Sequence, residues 1–274
     1  MPCKRKITLI LLVSFCASLL MQSAASAGTI SITPKVKPVV VDEKKGLKIS
    51  VDNSGDESAK NVQIHIDFAG ETLSGPRWDI LKPKEEKSHT FFIETLPTTP
   101  GLHPAYVTVD FADLNMYPFT ALDVTLINAG AASKPARLFG KIDNEVFIKK
   151  TGKLSFTLKN LDEEAKHVSV RVFGPKELSF DKNVPMMDLP AGESIEKSLK
   201  VTNFSALAGA GYPVFLVFEY ELDNAHYTYA LKSHITVQAG GISNSSRKTV
   251  TIIGIVVLVF ASLAEVVRRA IKKK

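Results

Sequence analysis

LKISVDNSGDESAKNVQIHI, residues Leu47 to Ile66, is the stretch whose reading decides the fold. Within it and just beyond, Val62, Ile64, Ile66 and Phe68 alternate with Gln63, His65 and Asp67. A side-chain period of two belongs to a strand with one buried face, whereas the apolar positions of a helix recur every three to four residues. The stretch recurs as LSFTLKNLDEEAKHVSVRV, Leu154 to Val172, where Leu154, Phe156 and Leu158, then Val168, Val170 and Val172, alternate in the same way. Two further blocks follow in the same order: Trp78–Glu94 matches Met186–Val201, and His103–Gly130 matches Tyr212–Gly240. The offset is 107 residues at Asn53/Asn160 and 110 at Gly130/Gly240, a drift that loop insertions produce. Three blocks in register mark an internal duplication. Between the strands lie turn clusters such as Asn53-Ser54-Gly55-Asp56, Lys82-Pro83-Lys84, Asn160-Leu161-Asp162-Glu163 and Pro190-Ala191-Gly192.

A unit of roughly 100 residues with about seven strands has the size of an immunoglobulin-like sandwich. The expected fold is all-β: one sandwich over residues 28–130, a linker over 131–137 and a second sandwich over 138–240. The Cys…Trp…Cys signature of antibody domains is absent, and Trp78 is assigned a packing role under a sheet edge. The first repeat resembles the bacterial and archaeal CARDB-type domain, a cell-adhesion-related Ig-like module. Asn53, Gly55, Ala59, Asn61, Val62, Leu81 and Pro83 fall on that family's pattern of Asn-x-Gly, Ala-x-Asn-Val and a Leu-x-Pro turn. The second repeat departs from it, with Leu161 in place of the Gly and His167 in place of the second Asn, although Leu189-Pro190-Ala191-Gly192-Glu193 keeps the turn. These are turn and strand residues, so the resemblance implies a fold shared by many surface proteins and names no ligand.

The two ends are of another kind. Lys4-Arg5-Lys6, the apolar run Ile7 to Met21 and the triplet Ala25-Ser26-Ala27 read as a signal peptide over residues 1–27, cut between Ala27 and Gly28. An uncut signal anchor is the competing reading, which the short apolar run and the cleavage triplet disfavour. Both cysteines, Cys3 and Cys16, lie in that segment, so the exported chain is expected to carry no disulfide and no thiolate site. Near the other end, Thr249 to Val267 would form about 28 Å of helix at ~1.5 Å per residue, enough to cross a hydrocarbon core. Arg268, Arg269, Lys272, Lys273 and Lys274 follow it, against Arg247 and Lys248 before it, which places the C-terminus in the cytoplasm. The expectation is a single-pass protein of the cell (inner) membrane with an extracytoplasmic folded part, a stalk over 241–248, a span over 249–267 and a basic tail over 268–274. The formal net charge of +6 comes from these ends: the part between them holds 24 basic and 27 acidic residues. That balance excludes an ordinary nucleic-acid binder.

No G-x-S-x-G, H-E-x-x-H, P-loop or G-x-G-x-x-G pattern occurs after Gly28. His65 and Asp67 share one strand face, where a metal pair and a solvated face are the alternatives. Asp52, Asp56 and Glu57 crowd one inter-strand loop and Asp162-Glu163-Glu164 its copy, as a weak calcium site or an acidic hairpin tip would. Aromatic residues are denser in the second repeat. With Leu216, Phe218 and Tyr220 inward, Phe215 faces outward beside Val217 and Glu219, while Tyr227 and Tyr229 share one strand face. Core packing explains such residues in sandwiches; the alternative is a binding face at Phe215, Tyr227 and Tyr229 for a sugar or a protein. The expectation is a protein without catalytic residues, cofactor or metal. It is tethered in the lipid bilayer and presents its domains to an envelope protein or polysaccharide. An envelope assembly chaperone working by β-strand addition is the alternative.

Overall fold

Burial follows the alternation: Val62, Ile64 and Ile66 are enclosed, while Gln63, His65 and Asp67 stay partly exposed. The computed structural model describes residues 28–130, 134–143, 145–181 and 186–238, and every regular element in them is a strand. The signal peptide over 1–27 with Ala27, the stalk, the span and the basic tail lie outside the described residues. Among the described residues no helix is long and apolar enough to cross a membrane.

The first copy contains β1 (Ile32–Val41), β2 (Lys44–Asn53), β3 (Ala59–Phe68), β4 (Glu71–Leu81), β5 (Glu86–Phe92), β6 (Gly101–Ala112) and β7 (Pro118–Ala129). They form two antiparallel layers, β1-β2-β5 and β4-β3-β6-β7. Between the layers Leu47, Ile49 and Val51 from β2 meet Val62, Ile64 and Ile66 from β3 and Ala105, Val107 and Val109 from β6. Trp78 packs against the margin of this core.

The second copy contains β8 (Leu138–Ile142), β9 (Glu145–Ile148), β10 (Thr151–Asn160), β11 (Lys166–Phe173), β12 (Leu178–Phe180), β13 (Met187–Leu189), β14 (Ser194–Asn203), β15 (Gly211–Leu222) and β16 (Ala225–Val237). Its layers are β12-β14-β10-β8 and β13-β11-β15-β16, the second extended by β9 running parallel to β16. The first strand is thus divided between the two layers, where β1 pairs with β2 over its whole length. The long β4 likewise corresponds to two three-residue strands, β12 and β13.

One polar device is repeated in both copies. Asn53 is fully buried; its Nδ2 donates to Glu57 O at 2.8 Å and Leu81 O at 3.2 Å, and its Oδ1 accepts from Gly55 N at 3.1 Å. Asn160 does the same with Glu164 O at 2.7 Å, Leu189 O at 3.2 Å and Asp162 N at 3.0 Å. Each side chain closes a turn and ties it to the far edge of the sheet, where backbone groups need partners. The one-residue difference in length between the quoted stretches is a β-bulge at Lys60–Asn61, where Asn61 takes φ +53°, a conformation asparagine tolerates well.

Ala59 faces Leu81 in the first copy, and Lys166 faces Leu189 in the second. The buried alanine has therefore become a lysine whose side chain is 1% exposed. Its Nζ lies 2.6 Å from Asp162 Oδ2 and 4.9 Å from the centre of the Tyr220 ring. Asp162, rather than the Leu161 expected from the sequence, stands where the first copy has Gly55, since its N–H donates to Asn160 as that of Gly55 does to Asn53; it also holds Arg137 at 2.5 Å. The hydrogen bond from Lys166 keeps the Asp162 carboxyl below its ordinary pKa. Asp162→Ala strands a buried ammonium and is expected to cost about 3 kcal/mol. Replacing both residues by the first copy's pair, Asp162→Gly with Lys166→Ala, recovers most of that loss in urea unfolding. A double variant as unstable as the single one would contradict the pairing.

Candidate functional site in the seam between the two copies

The middle strand of each inner sheet is buried on both faces. In β15, Val214, Leu216 and Phe218 enter the core of their own copy, while Phe215 and Val217 point the other way and are equally enclosed. They meet Tyr106 and Leu122 of the first copy, with Val124, Phe173 and Ala230 packed around them. The contact is reciprocal: β7 lies against β15, and β16 against β6. Two related surfaces meeting face to face produce such an arrangement. Arg171 caps the layer with its guanidinium 4.2 Å from the centre of the Tyr106 ring, and Lys232 lies 5.4 Å from that of Phe215. Asp123 on β7 feels this enclosure, and burial raises its carboxyl pKa above the ordinary value.

One edge of the seam is stitched by backbone. His226 N donates to Pro100 O at 2.8 Å, and a single parallel bridge pairs His226 with Gly101. Gly101 sits at φ +142°, and a Cβ there would collide with the His226 carbonyl, so only glycine allows this approach. The His103 and His226 rings stack at 4.1 Å and 9°. Thr228 Oγ1 lies 3.3 Å from His226 Nε2, which in turn lies 3.2 Å from Glu219 Oε1. This trio looks like an activated hydroxyl, but Thr228 is 3% exposed and its hydroxyl donates to Leu102 O at 2.7 Å. A nucleophilic hydroxyl must face a substrate and give its proton to a base, whereas this one is enclosed and its proton goes to the Leu102 carbonyl, where it holds the seam.

A cleft opens at each mouth of the seam. The first, of about 410 Å³, is lined by Asp67, Glu71, His103, Tyr106, Arg171 and Glu219. The Tyr106 hydroxyl is buried there without a partner among the described residues, and burial pushes its pKa well above the usual phenol value. It remains a protonated donor. The second cleft, of about 670 Å³, is lined by Phe111, Tyr117, Phe119 and Phe204 together with Lys176 and Glu177. Glu177 Oε2 is likewise buried and unpartnered, and burial raises that carboxyl's pKa.

The structure separates the three residues of the expected aromatic face. Phe215 lies in the seam, opposite Lys232 in the β15–β16 register. Tyr227 and Tyr229 pair with Tyr220 and Phe218 and so sit on the other face of the same sheet. Tyr227 stacks on Tyr220 at 4.9 Å. The Tyr229 hydroxyl accepts from Gly140 N, and the Tyr220 hydroxyl from Arg137 N, both at 3.1 Å, so these tyrosines fasten the entering chain to the sheet. His65 and Asp67 do not act as a pair: His65 bonds Ser74 and approaches Asp110, while Asp67 accepts from Thr72. Among the described residues no group of three or more His, Cys, Asp or Glu side chains is placed to hold a metal. In the acidic loops, Asp162 is engaged by two cations and Asp56 accepts from Thr29 N. The seam itself was missed in the sequence, although the uninterrupted apolar run Val214 to Phe218 carries its signal, since a strand buried on both faces does not alternate.

No family model and no curated protein matches the chain. Solved structures similar to it include Escherichia coli alpha-2-macroglobulin in its native conformation (9% identity, TM-score 0.31, 76% of this chain and 17% of that one). Salmonella alpha-2-macroglobulin reacted with methylamine gives 8% identity and a TM-score of 0.31 over 76% of this chain and 16% of that one. Red sea bream transglutaminase gives 9% identity and 0.26 over 81% and 33%. The chain thus spans a third or less of the length of each of these proteins.

Burial lowers the pKa of His103, whose stacked neighbour His226 adds to the effect, and burial also lowers that of His234. The unfolded chain takes up these protons near pH ~6.5, before the folded chain does. The stability tied to the neutral rings is therefore complete above that pH and is lost as pH falls through the depressed folded values. Melting temperature is expected to drop between neutral and mildly acidic pH, less steeply in His103→Gln. An identical pH dependence in that variant would contradict the assignment.

Proposed function

We propose that the chain is a non-enzymatic, single-pass membrane protein. In this reading its two immunoglobulin-like sandwiches, of the CARDB type that the first repeat resembles, stand outside the membrane and hold an envelope protein or polysaccharide. The observation that carries this reading is a body locked by the seam, with an open apolar groove at the end remote from where the chain leaves it. Pro38, Val39, Val40, Leu47, Ile93 and Leu96 line that groove, of about 410 Å³. The opposite end of β1, around Thr33 and Pro34, lies beside Gly211 and His234 near the end of β16. Ten residues of strand at ~3.3 Å each separate the two ends by roughly 30 Å. Val40 is 70% exposed at the groove's rim, and an uncovered apolar cleft of this kind favours a protein partner over a sugar.

Strand addition fits less well. The outer strand β1 carries Pro34, Lys35, Lys37 and Pro38, β4 carries Pro76, and β13 has three residues. Prolines, lysines and short length blunt a sheet edge against a donated strand. A photo-crosslinker at Val40 in intact cells is expected to trap one partner in stoichiometric yield. A shifting set of unfolded clients would support the chaperone reading instead, and trapping of no protein would contradict a protein partner at the groove.

A further inference from the structure

We infer that the end of the body from which the chain leaves rests on the bilayer surface through an apolar fringe flanked by lysines. The inference rests on the membrane reading above. Gly209 N donates to Val237 O at 2.6 Å, Val237 N to Ala210 O at 3.1 Å and Gln238 N to Ile148 O at 2.7 Å. The loop after β14 is thereby pinned to the last residues of β16. The Tyr117 hydroxyl donates to Ser205 O at 2.7 Å and brings the β6–β7 turn of the first copy to the same end. On these two loops Phe204 is 83% exposed, and Leu114, Met116 and Leu207 are exposed beside it. Exposed Lys149 and Lys150 flank them, the backbone carbonyl of Lys150 accepting from Asn203 N; Lys176 also reaches out from the same cleft, with its ammonium 3.1 Å from Asp110 Oδ2. Asp113, the nearest acid of the β6–β7 turn, spends Oδ1 on Asn115 N and Tyr117 N.

Chain length then decides what covers this fringe. Residues 239–248 can span at most ~35 Å even when fully stretched. The thirteen residues of β16 alone extend about 43 Å. The tether is thus shorter than the body it holds, and the fringe is the part kept within reach of the lipid. Aromatic and aliphatic side chains bordered by lysine suit the boundary between headgroups and acyl chains, the lysines meeting anionic lipid.

The test uses the full chain with Cys3→Ser and Cys16→Ser, reconstituted in vesicles of phosphatidylethanolamine and phosphatidylglycerol. A fluorophore on Ser205→Cys or Asn115→Cys is expected to be quenched several-fold more by headgroup nitroxide lipids than one on Glu43→Cys. Adding Phe204→Ser and Met116→Ser should reduce that quenching. Equal quenching at all three sites overturns the inference, as does contact between the 205 sites of two chains without lipid quenching. A label on Val256→Cys read with acyl-chain quenchers separates the two claims. If it is quenched while the 205 site is not, only the resting surface falls; if it is unquenched, the membrane reading falls as well.

Discussion

Tyr106, Leu122, Phe215 and Val217 meet in a buried layer between two sheets, and the rest of the architecture follows from that contact. Each of these side chains would otherwise face water on the outer side of its sandwich, and enclosing one contributes about 1.5–3 kcal/mol. The layer makes β6 and β15 central in two directions: one face feeds the core of its own copy, the other feeds the seam. It also explains the cations poised over aromatic rings at its border, where Arg171 and Lys232 lay their long stems over Tyr106 and Phe215 and keep their charge near water. The cost is visible as well. The Tyr106 hydroxyl and one Glu177 oxygen, both beside the clefts at the seam's mouths, have no partner among the described residues.

The two copies are built alike, and the differences between them show what the fold tolerates. The buried asparagine is kept because several backbone groups depend on it. The neighbouring position is free to change character as long as the change is complete. Ala59 beside Gly55 and Lys166 beside Asp162 are each self-consistent, since a buried ammonium is tolerable only with its carboxylate in place. Arg137 then extends the ion pair into the entering segment, so the second copy begins to be fastened before its first strand starts.

Much of this was legible in the residues. The period-two pattern of Val62 to Phe68 and Leu154 to Leu158 reports burial on one face, and each buried residue is where alternation puts it. The turns were legible because Asn, Gly and Pro punctuate them. Other features were hidden for physical reasons. A bulge at Asn61 costs one residue and leaves only an asparagine as its trace. The division of the first strand between β8 and β9 depends on which sheet each half meets, a tertiary choice that local propensity does not encode. Tyr227 and Tyr229 read as a shared face, and they share one, but it is the inner one, where Tyr229 accepts from the Gly140 backbone and Tyr227 stacks on Tyr220. Phe215 was placed facing outward correctly for its own sandwich; what it faces belongs to a segment about a hundred residues away.

The seam also gives the proposed role its mechanical sense. Two sandwiches on a flexible joint would pay an ordering cost whenever a partner engaged both, whereas a fixed pair has met that cost in folding. The most direct measurement is the distance between nitroxides on Lys48→Cys and Lys197→Cys, one on the outer sheet of each copy, read by pulsed electron spin resonance. The account predicts one narrow distance distribution. A broad distribution, as two independent bodies on a linker would give, would contradict it.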